Sequence, residues 1–234
     1  MPKKFLDLEP IAKGSEHIVC LSPQHPDEVI KVPCAWWHNA NAEELQAEMK
    51  IIKNESIPIL DTEVVGNVTV QIRGKLKKVP YIIRQAYSDL PTLNTNNLDL
   101  DSVRDQLCEL LQKSVNIRSK QGKSIDFLGA EAVRGLFKHW CDSSFPLHVH
   151  NFRIDDNEQI ILSDTGLLSP DKCLSVLRWP ITQIISLQHY LIEGFVQTID
   201  SEFKLENFQP GMLVQFVGGS MLGATSAWNC IRNR

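Results

Sequence analysis

The sequence predicts an α+β protein of two unequal lobes, a β-rich first part with one helix and a mainly helical remainder. Three observations lead there. Short β-rich runs crowd residues 1–90. One stretch of helical spacing interrupts them, and from about residue 98 the apolar residues recur at helical rather than alternating intervals.

The elements follow in order. Gly14-Ser15 marks a turn that leads into Ile18-Val19-Cys20-Leu21, and a second turn over 23–27 leads into Val29-Ile30-Lys31-Val32. Residues 41–54 have helical spacing, with Leu45, Met49 and Ile52 on one face. The runs 64–72 and 79–83 read as strands joined through the basic stretch Arg73-Gly74-Lys75-Leu76-Lys77-Lys78, a solvated hairpin turn. The order is therefore strand, strand, strand, helix, strand, strand. The pattern changes over 86–98, which divides a first lobe at 1–90 from a second at 91–234.

In the second lobe, 101–118 predicts a helix with Val103, Leu107, Leu110, Leu111 and Val115 on its apolar side and Asp99 or Asp101 as cap. A second helix is expected over 129–140. Two short β-like runs at 148–154 and 159–163 are separated by the turn Asp155-Asp156-Asn157-Glu158. A last helix is expected over 179–198, with Pro180 in its first turn. The glycine-rich 218–223 receives no assignment.

Composition fits a globular chain with a sizeable core: 43% of the 234 residues are hydrophobic and 22% charged. A net charge of −4 gives no general basic field for nucleic acid or an anionic membrane. The six cysteines, Cys20, Cys34, Cys108, Cys141, Cys173 and Cys230, form no C-x-x-C pair, which argues against a structural zinc site and for thiols in a reducing compartment. The first residues, Met1-Pro2-Lys3-Lys4-Phe5-Leu6-Asp7, do not read as a signal peptide, and no run reaches the ~20 apolar residues of a membrane span. A cytoplasmic protein is expected, with export that uses no cleaved signal left open.

Four pieces of sequence carry chemistry, each weak alone. The turn Ala12-Lys13-Gly14-Ser15-Glu16-His17-Ile18-Val19 keeps a glycine where a backbone would approach phosphates closely. Lys31 stands inside an apolar strand, where a buried ammonium needs an anion, although an edge-strand lysine with its head in water would need none. The helix that follows carries Glu43, Glu44 and Glu48, and Glu48 stands closest to the apolar stripe, with Glu44 as the alternative. Finally, Asn151 and Asp164-Thr165-Gly166 flank a short β-hairpin. An amide oxygen and a carboxylate oxygen at neighbouring strand ends suit magnesium, which takes hard oxygen ligands.

Together and in this order the pieces resemble the protein-kinase-like superfamily, especially its small bacterial members, YrbL-like proteins and minimal kinase effectors among them. The resemblance is one of motifs and spans roughly residues 10–168. It implies a bilobal fold with a five-stranded first lobe carrying one helix, a hinge, and here a reduced, mainly helical second lobe. It implies ATP and Mg as cofactors. Gly14, Ser15 and Val19 would cover the nucleotide, and Lys31 would hold its α- and β-phosphates while Glu48 holds Lys31. Asn151 and Asp164 would bind magnesium, and the backbone of Gln85, Ala86 and Tyr87 would meet the adenine.

The chain also departs from the pattern. Five residues before Asn151, where the family has its catalytic aspartate, stands Pro146. Asp142 in a rearranged loop, or His148 or His150 as base, would fill the role; otherwise none remains. His148 and His150 alternate along a strand and so share a face. Asp126, in Lys123-Ser124-Ile125-Asp126-Phe127-Leu128-Gly129, caps a following helix or projects into the cleft as an acid. About seventy residues follow Gly166, with no A-P-E segment, so the usual platform for a peptide is cut down. The readings are an ATP-dependent phosphotransferase with a protein or small-molecule acceptor, a pseudokinase serving as a nucleotide-binding or regulatory module, the same fold transferring a nucleotidyl group, and an unrelated α+β protein.

Overall fold

The computed structural model describes residues 6–14, 16–34, 40–94, 100–127, 148–163, 166–172, 175–197, 202–208, 211 and 215. The first part comprises β1 (Leu6–Leu8), β2 (Pro10–Lys13), β3 (His17–Leu21), β4 (Glu28–Pro33), α1 (Ala42–Asn54), β5 (Thr62–Ile72) and β6 (Lys75–Ala86). From β2 onward this is the order read from the sequence. The strands form one sheet in the order β1-β5-β6-β4-β3-β2, antiparallel except where β1 lies parallel to β5. Strands β1 and β2 occupy opposite edges, yet only Glu9 separates them, so the sheet must curl back on itself. The Leu21 N–H donates to the Glu9 carbonyl across that seam at 3.2 Å.

Alternation along the strands sorts side chains to two apolar cores. Leu8, Cys20, Ile30, Val32, Val70, Val79 and Ile82 fill the inside of the curl. The opposite face, with Val64, Tyr81 and Ile83, packs against α1 and the second part of the chain. Lys31 falls on this second face, flanked in the ladder by Val19 and Ile83.

Helix α1 starts at a complete capping box. The Asn41 side chain accepts from the Glu44 N–H at 2.9 Å, and the Glu44 carboxylate accepts from the Asn41 N–H at 3.2 Å. Leu45, Met49 and Ile52 are buried as the spacing predicts, and Glu48 is buried among them. Each such apolar side chain contributes roughly 1.5–3 kcal/mol. The helix start sits close to the sheet at Gly66, where a Cβ would stand 2.9 Å from the Ala42 Cβ. Strands β5 and β6 turn over Arg73 and Gly74 alone, both at positive φ (49° and 74°), the two-residue turn that matches strand twist. Lys75, Lys77 and Lys78 thus belong to the strand rather than the turn, and they are exposed as expected.

The second part comprises β7 (Thr92–Asn94), α2 (Leu100–Gln121), β8 (Ser124–Ile125), β9 (His148–Ile154), β10 (Ile160–Leu162), β11 (Leu167–Leu168), a 3-10 turn at Pro170–Lys172, and α3 (Ser175–Gln197). Strands β10, β9 and β7 form one antiparallel sheet and β11 pairs with β8. The architecture is α+β. Val103, Leu107, Leu110, Leu111 and Val115 of α2 are buried, as their spacing predicts. They share one core with Leu45, Met49 and Ile83 of the first part and with Phe127 and Phe152, whose rings stack at 5.3 Å. The main core therefore crosses the boundary at 86–98.

Helix α3 begins earlier than its apolar spacing suggests, so Pro180 lies inside the helix rather than in its first turn. The carbonyl that Pro180 leaves without an N–H partner belongs to Val176, 75% exposed, where water is at hand. The expected helix over 129–140 and the glycine-rich 218–223 lie outside the described residues, as do the Asp99 cap and the Asp101 side chain. Cys20, Cys34 and Cys108 are free thiols, and burial pushes that of Cys20 up. No helix among the described residues is long and apolar enough to cross a membrane.

Candidate functional site

A lysine in the middle of a half-buried strand must find an oxygen. Lys31 finds one across the molecule: its Nζ donates to the Ser163 carbonyl at 3.0 Å, a link over 132 positions of sequence. Ser163 directly precedes Asp164. The strand face that carries Val19 and Lys31 thus looks onto the end of the β9–β10 hairpin.

That hairpin is fixed at both ends. In its turn, the Asp155 carboxylate accepts from the N–H groups of Asn157 and Gln159 at 2.9 and 2.8 Å, and Glu158 takes positive φ. At its open end, the Ser163 N–H and hydroxyl both donate to the Asn151 carbonyl, at 2.8 and 3.0 Å. Asn151 therefore stands opposite Ser163. Its side-chain Nδ2 donates to the Asp126 carbonyl at 2.9 Å, which leaves Oδ1 as the face of the amide available to a cation.

Asp126 directly follows β8, and its backbone is held on three sides. The buried Gln188 of α3 accepts from the Phe127 N–H at 3.2 Å and donates to the Ile125 carbonyl at 2.9 Å. Asn151 takes the carbonyl between them. The backbone around Asp126 is thus fixed by the side-chain amides of Gln188 and Asn151. The sequence offers Asp126 as a cap or a cleft acid, but not as a neighbour of Asn151. The motif sets its acid five residues before the asparagine, whereas the Asn151 side chain bonds the backbone of an acid 25 positions earlier. The signal was an acid directly after a short β-like pair, Ser124-Ile125.

Glu48 is buried as expected, and the contacts of its carboxylate include two from outside α1. Lys123 Nζ lies 3.0 Å from Oε1, and the Leu167 N–H donates to Oε2 at 3.2 Å. Lys123 received no role from the sequence. Glu44, the alternative to Glu48, is exposed and belongs to the capping box.

Gly14 is exposed in the β2–β3 turn, with its N–H donating to the His17 carbonyl at 2.8 Å. A Cβ there would meet nothing closer than 3.6 Å, so packing does not demand the glycine. His17, which stands where the loop pattern has its last glycine, lies 3.1 Å from the Tyr81 hydroxyl through Nε2. At the hinge, Gln85 is buried with its amide on Thr62. The Ala86 and Tyr87 N–H groups are engaged, donating to the carbonyls of Asp61 and Asp27 at 2.9 and 2.7 Å. Ser15, Asp142 and Asp164 lie outside the described residues, and of His148 and His150 only the backbone, in β9, is described.

Behind the site, α2 and α3 share a buried polar cluster. His189 Nε2 lies 2.9 Å from the Ser114 hydroxyl and 3.1 Å from that of Ser124. Burial, and then the nearby Arg118 guanidinium, push His189 down to about 3. Arg118 donates to the Ser186 hydroxyl at 2.9 Å, and burial lowers its pKa too. The chain matches no protein-family model and no curated protein.

Proposed function

We propose that this chain is a magnesium-dependent, nucleotide-binding phosphotransferase of reduced protein-kinase-like fold. The observation that carries the reading is the contact between Asn151 Nδ2 and the Asp126 carbonyl. It brings the backbone of an acid beside Asn151, whose own carbonyl pairs with Ser163, the residue before Asp164, and Lys31 reaches the same strand end. The order of elements from β2 to β6, with Lys31 on β4 and a buried glutamate on the next helix, also supports it.

The roles follow from charge and reach. Lys31 neutralises phosphate oxygens of the bound nucleotide. The Asp126 carboxylate accepts the proton of an acceptor hydroxyl as its oxygen bonds to the terminal phosphorus of ATP. The bond from that phosphorus to the bridging oxygen breaks, and ADP leaves. Asn151 Oδ1 is a hard oxygen of the kind magnesium takes, and Asp164 is its expected companion. The metal, when bound, supplies neutralisation of phosphate charge. The acceptor is a hydroxyl of a protein or a small molecule.

A second reading, a regulatory module that transfers nothing, has one observation in its favour: the Ala86 and Tyr87 N–H groups are already engaged by backbone carbonyls. An adenine would have to find other partners along the hinge. Thermal unfolding with ATP and magnesium, on the wild type and on Asn151→Ala, combined with an assay of ADP formation, separates the two. A ligand at a hundred times its dissociation constant adds about 2.7 kcal/mol. A metal-dependent shift with ADP formation, both weakened in the variant, supports transfer. A shift without ADP supports a nucleotide-binding module, and no shift defeats transfer and leaves a module that binds no nucleotide, or an unrelated α+β protein.

A further inference from the structure

The Glu48 carboxylate, 0% exposed in the middle of α1, joins three elements at once. Its Oε1 holds Lys123, the residue before β8, and its Oε2 holds the N–H of Leu167, the first residue of β11. Those strands pair through two residues each, Leu167 with Ile125 and Leu168 with Ser124. A ladder that short does not hold its own register. Yet Asp126 begins where β8 ends, and β11 follows 164–166 directly.

A buried carboxylate is costly unless a cation compensates it. Lys123, 25% exposed on its side chain, supplies the charge from the residue that leads into the strand whose register matters. A charge-assisted bond is shorter and more directional than a neutral one. We infer that Glu48 and Lys123 form a positioning pair, which fixes β8 against β11 and so sets Asp126 against Asn151. The assignment rests on the phosphotransferase reading. It adds to the motif resemblance a cation from the second part of the chain, placed on the glutamate for which the resemblance supplies only Lys31. Helix α1 is thereby coupled to the acid at the far side of the cleft.

The test measures kcat, KM for MgATP and Tm in ADP formation with water as acceptor, on the wild type, Lys123→Arg, Lys123→Met and the pair Glu48→Gln with Lys123→Met. Displacement of a reacting group by about an ångström costs on the order of 100-fold in rate. Lys123→Met therefore loses kcat on that order with KM little changed, and Lys123→Arg keeps most of the rate. The double variant removes both charges together and recovers Tm but not kcat. If Lys123→Met does not fold, the arginine and double variants carry the comparison. A kcat that recovers with Tm in the double variant makes the pair merely structural and overturns the assignment alone, as does a Lys123→Met protein with normal kcat. A wild type with no magnesium-dependent ADP formation overturns the phosphotransferase reading, and this assignment with it.

Discussion

Asn151 Nδ2 donates to the Asp126 carbonyl at 2.9 Å, joining a strand residue to a loop residue 25 positions earlier. The bond does two things. It orients the amide, so that Oδ1 points away from the loop, and it pins the backbone of the acid. Gln188 pins the same backbone on either side through Ile125 and Phe127. Three hydrogen bonds on consecutive residues fix the backbone from Ile125 to Phe127.

Asp126→Asn keeps the size and the backbone contacts while removing the base. A positioned general base contributes roughly 10²–10⁴-fold. The variant is expected to lose kcat by about that factor, with the nucleotide-dependent rise in Tm intact. Initial rates of ADP formation beside thermal unfolding read both quantities. A variant that turns over at the wild-type rate assigns the proton elsewhere, with His148, His150 and Asp142 next in line.

The sequence reaches the order of elements because each long element carries a full period of its pattern. Leu45, Met49 and Ile52 mark α1, and Val103 to Val115 mark α2. Strands β7, β8 and β11 escape it because two or three residues hold no period at all, and β1 is equally short. Asp126 was legible as an acid but not as a neighbour of Asn151, because loop length is the least constrained feature of a fold. The contact of Glu48 with Lys123 was illegible for a different reason. Burial of a carboxylate can be read from its place on an apolar stripe, but the cation that compensates it comes from any element that packs there. Here Lys123 directly precedes β8, a strand too short to carry a pattern that announces it.

His189 gives the fold an acid limit. Its pKa is about 3 in the folded protein, set by burial and then by Arg118, against about 6.5 unfolded. Above pH 6.5 the ring is neutral in both states and contributes no pH dependence. Between 6.5 and 3 the unfolded chain takes up a proton that the folded one refuses, so stability falls as pH falls. The slope approaches about 1.4 kcal/mol per pH unit, up to roughly 5 kcal/mol over the whole window. Urea unfolding of the wild type and of His189→Gln from pH 7 to 4.5 isolates the effect, because the carboxylates titrate alike in both. The wild-type curve is expected to be steeper. Parallel curves would show that His189 titrates normally in the folded protein.

Gly66 and Ala42 mark how closely α1 lies on the sheet. A Cβ at position 66 would stand 2.9 Å from that of Ala42, closer than real side chains approach, and the atom in its way belongs to a residue with no rotamer to change. Gly66→Ala must therefore push the first turn of α1 outward, at a cost of about 1–3 kcal/mol. Ala42→Gly removes the obstructing methyl and by itself costs at most about 1 kcal/mol of helix propensity. If the contact is the cause, Gly66→Ala costs distinctly less in the Ala42→Gly background than in the wild type, a non-additivity of 0.5 kcal/mol or more on the usual scale for residues in contact. Chemical denaturation of the four proteins measures it. Additive losses would place the strain of the added methyl elsewhere on β5. A non-additive result would also show that the seating of α1, and with it the reach of Glu48 toward Lys123 and Leu167, depends on the absence of one side chain at position 66.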